Sequence, residues 1–475
     1  MKIIRAAQAL LPDGWAFDVS VGVGEDGRLA SVERAPVGER AAEASAVGVG
    51  SAGGPDETYE VQRVDVLLPA PANAHSHAFQ RAMAGLAERR GPDPSDSFWT
   101  WRRLMYRFLD RLGPDEIEAI AAFVQMEMLE AGYACNVEFH YLHHQVGGAR
   151  YEDLAELSGR IVAAAATSGI GLTLLPVHYE YGGLDRRALA GGQRRFGTDI
   201  DTFAQLLEGA GEALGHLPPD ARLGVAPHSL RAIDAAHLPA LLGLAPQAPF
   251  HMHLAEQSAE VDEVQEALGA RPVEWLLDNA DVDQRWCLIH CTQMLAHETL
   301  ALARSGAVAG LCPITESSLG DGIFDGASFL GAGGRIAIGS DSNVRIALVE
   351  ELRTLEYSQR LRDRSRAALA TADRSTGRRL FDAVLAGGAQ AAGRGAGGIE
   401  VGSPADLLAL DTDRVDLDGR TGDTLLDSLV FAGDDAMVSD VWAAGRHLVS
   451  GGRHRARESI VANYRAAMRG LQAAL

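Results

Sequence analysis

The stretch Val64-Asp65-Val66-Leu67-Leu68-Pro69-Ala70-Pro71-Ala72-Asn73-Ala74-His75-Ser76-His77-Ala78-Phe79-Gln80 decides how the chain is read. An apolar run leads directly into two histidines one residue apart. Strand side chains alternate with period two, so His75 and His77 at the end of an extended segment point the same way. Two imidazoles on one face can hold one metal ion, and imidazole suits zinc, iron and copper. Taken alone, such a pair is more often one surface histidine and one satisfied core histidine. The metal reading needs further ligands, delivered to the same place by the fold.

From Val64 onward, apolar strand-like runs alternate with helical stretches, the pattern of repeated βα units around a parallel sheet. Eight runs stand out: Val64 to Pro69, Ala134 to Phe139, Leu172 to Val177, Leu223 to Pro227, Pro249 to His253, Trp286 to His290, Ala307 to Pro313 and Arg335 to Gly339. Eight units predict an α/β fold, a (β/α)8 barrel with its active site at the C-terminal strand ends. Those ends carry His75 and His77, His140 and Tyr141, His178, His228, His253, His290, Glu316 and Asp341. Seven of the chain's 15 histidines at strand ends is more than exposed loop starts explain.

Composition narrows the function. A 475-residue chain can bury a large core, and its formal charge of -21 argues against nucleic acid and anionic membranes as partners. No apolar run reaches the ~18 residues of a membrane span. The start, Met1-Lys2-Ile3-Ile4-Arg5, lacks a signal-peptide pattern. Cys135, Cys287, Cys291 and Cys312 are too few and scattered for a disulfide framework, which suggests a reducing cytoplasm. Cys287 and Cys291 read as buried small hydrophobes. Lys2 is the only lysine.

The chain ends read differently from the middle. Residues 1–63 predict short strands, with an exposed, mobile Ala/Gly/Glu/Ser-rich loop over 35–57. The barrel is expected over 64–395. Residues 396–475 predict further strands, including a hairpin around Ala444-Gly445-Arg446, and an amphipathic terminal helix with Ile460, Val461, Tyr464, Met468 and Leu471 on one face. Such short strands are not stable alone, so both ends are expected to build one small β-sandwich-like domain.

His75-x-His77 after the first strand, His253 after the fifth, His290 after the sixth and Asp341 after the eighth resemble the amidohydrolase superfamily across essentially the whole chain. The stretch Gly402-Ser403-Pro404-Ala405-Asp406 fits as well. Two-metal members commonly bridge their ions with a carboxylated lysine, and this barrel has no lysine. The resemblance therefore implies one divalent ion, zinc by family default, held by His75, His77, His253 and Asp341. Glu256, three residues after His253, matches the proton shuttle of the superfamily's deaminases. It also favours His253 over His251 as the ligand. In that scheme the ion activates water, Asp341 accepts its proton, His290 orients it, and Glu256 protonates the leaving nitrogen.

A finer resemblance is to the formimidoylglutamate deiminases of histidine degradation. It rests on Gln80, on Phe98-Trp99-Thr100-Trp101-Arg102-Arg103-Leu104-Met105-Tyr106-Arg107, on Glu138-Phe139-His140-Tyr141-Leu142-His143-His144, and on Ala226-Pro227-His228-Ser229-Leu230-Arg231-Ala232. It implies hydrolysis of N-formimino-L-glutamate to N-formyl-L-glutamate and ammonia. Gln80, Arg102, Tyr141, His228 and Arg231 would then hold a small anionic, amino-acid-derived substrate, either Arg102 or Arg103 facing the pocket. A homodimer is also implied. Arginine suits a dicarboxylate, because its guanidinium stays charged and binds carboxylates bidentately. Two rival functions share the metal set: a deaminase of nucleobases or related amidines, and a metal-binding scaffold without activity.

Overall fold

The computed structural model describes residues 2–34, 60–88, 98–395 and 397–474. At the N-terminus, β1 (Lys2–Leu11) and β2 (Gly14–Val23) turn at Pro12-Asp13-Gly14, β3 (Leu29–Arg34) follows, and β4 (Glu60–Pro69) returns parallel to β1. The barrel strands are β5 (Ala72–Ser76), β6 (Cys135–His140), β7 (Gly171–His178), β8 (Arg222–Leu223), β9 (Ala226–Pro227), β10 (Phe250–Leu254), β11 (Trp286–His290), β12 (Val308–Leu311) and β13 (Arg335–Ile338). The chain finishes with β14 (Leu407–Leu410), β15 (Val438–Ala443), β16 (Arg446–Ser450) and β17 (Arg453–His454).

The barrel consists of two parallel arcs, β5-β6-β7 with β8 and β9, and β10-β11-β12-β13. β8 and β9 are the two halves of the fourth barrel strand, each pairing with β7. Two short seams join the arcs. At one, Val225 bridges Phe250, and His251 N–H donates to Val225 O at 3.0 Å. At the other, Ser76 bridges Asp341; Asp341 N–H donates to His75 O and His77 N–H to Asp341 O, both at 2.9 Å. Gly339 makes the second seam possible, since a Cβ there would lie 2.7 Å from the His75 backbone nitrogen.

Helices cover the barrel with their apolar stripes. Residues Ile200–Leu214 show why a segment of this kind is helical. Asp199 caps it by accepting Thr202 N–H at 2.7 Å, and Phe203, Leu206, Leu207, Ala210 and Leu214 recur at helical spacing and are buried. The terminal helix Arg457–Ala474 packs on helix Pro114–Glu130, with Ile460 and Leu471 buried and Tyr464 stacked on Phe123 at 4.0 Å. No helix among the described residues is long and apolar enough to cross a membrane.

The chain ends share one continuous eight-stranded sheet, in the order β17-β16-β15-β14-β4-β1-β2-β3, and this is what the expected β-sandwich-like unit consists of. It corrects one expectation. The apolar run Val64 to Pro69, expected as the first barrel strand, belongs instead to β4, where Leu67 pairs with Ala409 and Leu68 with Leu408. The first barrel strand is Ala72–Ser76. The expected loop over 35–57 lies outside the described residues.

Sheet and barrel are tied together by buried charge. Arg394 donates to both carboxylate oxygens of Asp406 at 2.9–3.0 Å and to Asp220 at 3.2 Å. Arg446 of β16 donates two further bonds of 2.8 Å to Asp220, which lies on the loop before β8. Removing one partner of such a network strands the others without compensation, at a cost of about 3–5 kcal/mol. Arg394→Met is therefore expected to lower the urea midpoint and melting temperature of the whole molecule. Unchanged unfolding curves would show that the network does not hold the two parts together.

Candidate active site

His75 and Asp341 meet because the seam between β13 and β5 sets their backbones side by side. His77 follows β5 by one residue, and His253 comes from β10 on the neighbouring arc. The ligand-type atoms of His75, His77, His253 and Asp341 all lie within 4.8 Å of one another, and all four residues are buried. His75 Nε2 is 3.2 Å from His77 Nε2 and 3.5 Å from Asp341 Oδ1; His77 Nε2 is 3.3 Å from the same oxygen.

Hydrogen bonds behind the rings choose the tautomers. His77 Nδ1 faces Phe139 O at 2.9 Å and His253 Nδ1 faces His228 O at 3.1 Å. A carbonyl only accepts, so each Nδ1 carries the proton and each Nε2 presents a lone pair, as in metal sites where an outer acceptor orients the ligand. Burial and neighbouring histidines hold these imidazoles below their ordinary pKa, and His75 is pulled down to about 3. The donor set of three neutral imidazoles and one carboxylate thus fits a divalent ion. His251 is not part of it, since its Nε2 bonds Ala391 O at 2.8 Å.

The backbone around these donors is strained. Ala255, His290, Asp341 and Asn343 all have positive φ, between 45° and 73°, a conformation that costs non-glycine residues about 1–3 kcal/mol each. Polar side chains hold it in place. Asn343 Nδ2 donates to His77 O and Asp341 O, both at 3.1 Å, while Ser340 links Asn343 to Asn73 of β5. Glu138 of β6 accepts Ala78 N–H at 2.7 Å and so fixes the turn after His77. Glu260 accepts Glu256 N–H at 3.0 Å and fixes the turn after His253.

His290, Glu256 and Asp341 converge without touching. His290 Nε2 is 3.9 Å from Glu256 Oε1 and 3.9 Å from Asp341 Oδ2. Its Nδ1 faces Glu316 Oε1 at 3.3 Å, and Glu316 is in turn fixed by Cys312 N–H at 2.8 Å. Burial pulls the His290 pKa down, but Glu256, Glu316 and Asp341 outweigh it and push it up to about 10. A cation bound to Asp341 would oppose that rise. Burial raises the Glu256 carboxyl above its ordinary value.

These groups open onto one pocket at the C-terminal ends of the barrel strands. Gln80, Arg102, Tyr141, His228 and Arg231, all named from the sequence, line it together with His77, His253, Glu256, His290 and Asp341. Gln80 Nε2 donates to Tyr141 Oη at 2.8 Å. Arg102 Nε donates to Tyr106 Oη at 2.8 Å and its Nη2 to Tyr179 Oη at 3.2 Å. Arg231 Nη2 is 3.8 Å from Glu256 Oε2, and Arg231 Nε is buried with no hydrogen-bond partner among the described residues. Burial, then the charges of Arg231 and Arg102, keep the His228 pKa well below normal, so His228 is neutral. Of the arginine pair, Arg102 faces the pocket; the Arg103 side chain is outside the described residues. Tyr106, Tyr179 and Glu138 have no assigned role in the sequence reading, and Glu316 stands there only as a strand-end carboxylate, its bond to His290 unseen. Tyr106 left a signal too, four residues after Arg102 on one helix face.

Residues 66–448 match the Amidohydrolase family, and residues 1–43 match the N-terminal domain of formimidoylglutamate deiminase HutF. A formimidoylglutamate deiminase of Pseudomonas aeruginosa is 49% identical over 463 residues, spanning 96% of this chain and 97% of its own. A 5-methylthioadenosine/S-adenosylhomocysteine deaminase of Natronomonas pharaonis is 26% identical over 411 residues, or 85% of this chain and 84% of its own. Among solved structures, an amidohydrolase from Brucella melitensis superposes with a TM-score of 0.91 at 46% identity, covering 99% of this chain and 100% of that one. The zinc complex of an atrazine chlorohydrolase from Arthrobacter aurescens shares the fold, with a TM-score of 0.80 at 20% identity over 98% of this chain and 100% of that one. With a barrel closed at His75 and Asp341, and close identity along nearly its full length, this chain belongs to the amidohydrolase family, among its formimidoylglutamate deiminases.

Proposed function

We propose that the protein hydrolyses N-formimino-L-glutamate to N-formyl-L-glutamate and ammonia. The observation that carries this reading is that one pocket joins the His75, His77, His253 and Asp341 donor set to Glu256 and to two arginines. A protein of charge -21 repels a dicarboxylate at long range, so local cations must hold it. A nucleobase deaminase has no use for two guanidiniums in its pocket, and a dead scaffold has no use for Glu256 and His290.

The divalent ion proposed for the donor set is zinc, one per chain; when bound it supplies Lewis-acid activation of water, lowering the water's pKa toward ~7. The chain's own residues do the rest. Arg231 with His228, and Arg102 with Tyr141 and Gln80, each hold one carboxylate, which sets the formimino carbon beside Asp341. Asp341 accepts the proton of the attacking water on a carboxylate oxygen. His290 Nε2 faces the same place and stabilises negative charge as attack proceeds. Attack gives a carbon bearing two nitrogens. Glu256 then delivers a proton to the terminal one, which leaves as ammonia while the nitrogen joined to glutamate stays. Burial suits Glu256 to this step, because a raised pKa lets it hold a proton near neutrality.

A reducing cytoplasm, as the compartment of histidine degradation, fits four cysteines that are all buried and free. A homodimer is proposed on the family resemblance, to be read as molar mass by light scattering.

Elemental analysis of zinc-loaded, extensively dialysed protein is expected to find one ion per chain, and His253→Ala to lose it. No retained ion in the native protein would remove the metal from the mechanism. Glu256→Gln and Asp341→Asn are each expected to keep the fold and lose roughly 10²- to 10⁴-fold in kcat. Asp341→Asn should also weaken metal retention, whereas Glu256→Gln should not. A Glu256→Gln enzyme turning over near the native rate would take the proton transfer away from Glu256.

The arginines are tested with two substrates. A charge-assisted hydrogen bond contributes about 1.5–3 kcal/mol, so Arg102→Met or Arg231→Met is expected to cost roughly 10- to 150-fold in kcat/KM on N-formimino-L-glutamate. An analogue lacking one carboxylate should be poor with the native enzyme and lose little more when the matching arginine is removed. Equal losses on both substrates would mean that the arginines are structural, and faster turnover of nucleobases would overturn the substrate itself.

A further inference from the structure

A second cluster of ligand-type side chains lies on the same barrel rim, apart from the donor set above. His178 is the last residue of β7, Glu180 follows two residues later, and His237 comes from the loop after β9. Their ligand atoms also lie within 4.8 Å of one another. His178 Nε2 is 3.5 Å from Glu180 Oε2, and His237 Nδ1 is 2.9 Å from Glu180 Oε1. These imidazoles are the only ion-pair partners of Glu180 among the described residues. None of the three has a part in the reaction above.

The His178 ring is the informative member. It is fully buried, and its Nε2 has no hydrogen-bond partner among the described residues, although it is aimed at the Glu180 carboxylate. Its other nitrogen, Nδ1, lies 2.9 Å from Thr198 Oγ1. The threonine hydroxyl can donate to Nδ1 or accept from Nδ1–H, and in the accepting arrangement Nε2 presents a lone pair to the carboxylate. A lone pair aimed at a carboxylate with no proton between them is repulsive, and a cation between them turns that repulsion into two bonds. In that state Thr198 serves His178 as the backbone carbonyls serve His77 and His253, as an outer acceptor that orients the ring. His237 is partly exposed, which gives an ion a way in from solvent.

We propose that His178, Glu180 and His237 form a second divalent-cation site of two imidazoles and one carboxylate, completed by water, that takes zinc or a similar ion more weakly than the buried donor set. Two imidazoles and a carboxylate suit zinc, iron and cobalt. The site fastens a particular loop. Glu180 accepts Asp234 N–H at 2.7 Å, and Glu180 N–H donates to Ala232 O at 2.7 Å. His228 N–H donates to His178 O at 3.0 Å. The segment pinned in this way, 228–237, carries His228 and Arg231 into the substrate pocket. An ion here would join β7 to that segment through His237 and hold the carboxylate-binding arm in place.

The test uses holoenzyme already carrying one ion per chain. It is dialysed to equilibrium against rising Zn²⁺, and crystals soaked in Zn²⁺ are examined by anomalous diffraction. The native protein is expected to take up a second equivalent, with an anomalous peak between His178, Glu180 and His237. Amide exchange over 228–237 should slow as that equivalent binds. His237→Ala should weaken the second equivalent by roughly tenfold or more while leaving the first ion and the basal turnover in place. His237→Gln, whose amide can still donate to Glu180, should bind as weakly as His237→Ala. No second equivalent in the native protein, a peak elsewhere, or undiminished binding by either variant would overturn the site and leave a hydrogen-bonded relay. Binding without slower exchange would overturn its fastening role.

Discussion

The molecule depends on the seam where the last barrel strand meets the first. Two backbone hydrogen bonds of 2.9 Å join Asp341 to His75 and to His77. They close the cylinder and, in the same step, bring together ligand residues separated by more than half the chain. A glycine at 339 is the condition for that approach. Barrel closure and assembly of the donor set are therefore one structural event. A chain that failed to close would have no site to misplace.

The surroundings of the seam are costly, and neighbouring side chains compensate. Left-handed backbone occurs at His290 and Asp341, whose side chains line the pocket, and at Asn343, whose side chain bonds the backbone of His77 and Asp341. Asn343, Ser340, Asn73, Glu138 and Glu260 hold the turns by bonding backbone or one another. Strain of this kind persists only where the surroundings over-determine it, and here they do so through polar contacts in a water-poor interior.

Much of this was legible in the sequence, for identifiable reasons. Parallel strands buried on both faces read as unbroken apolar runs, and seven of the eight runs are barrel strands. The exception is instructive. Val64 to Pro69 is the more apolar segment, yet the barrel strand is the short, partly polar Ala72–Ser76; the apolar one serves a sheet whose other half lies at the far end of the chain. Spacing revealed His75, His77, His253, Glu256 and Asp341 because the fold repeats. Tyr179 and Glu138 stayed hidden because their partners come from distant segments, and the pairings of Glu316 with His290 and of His237 with Glu180 stayed hidden for the same reason. A single carboxylate or phenol has no period to betray it.

The order of strands in the terminal sheet has a consequence for synthesis. β4 is paired on one edge with β1 as soon as both exist, but its other edge waits for β14. Some 340 residues separate the two, which is roughly 17–70 s of translation at ~5–20 residues per second. For that interval a nascent strand bearing Val66, Leu67 and Leu68 presents an unsatisfied ladder, the kind of edge that recruits foreign strands. The sheet begun first on the ribosome is the last one completed, and crowded polysomes are where this protein is most exposed to mispairing with its own copies.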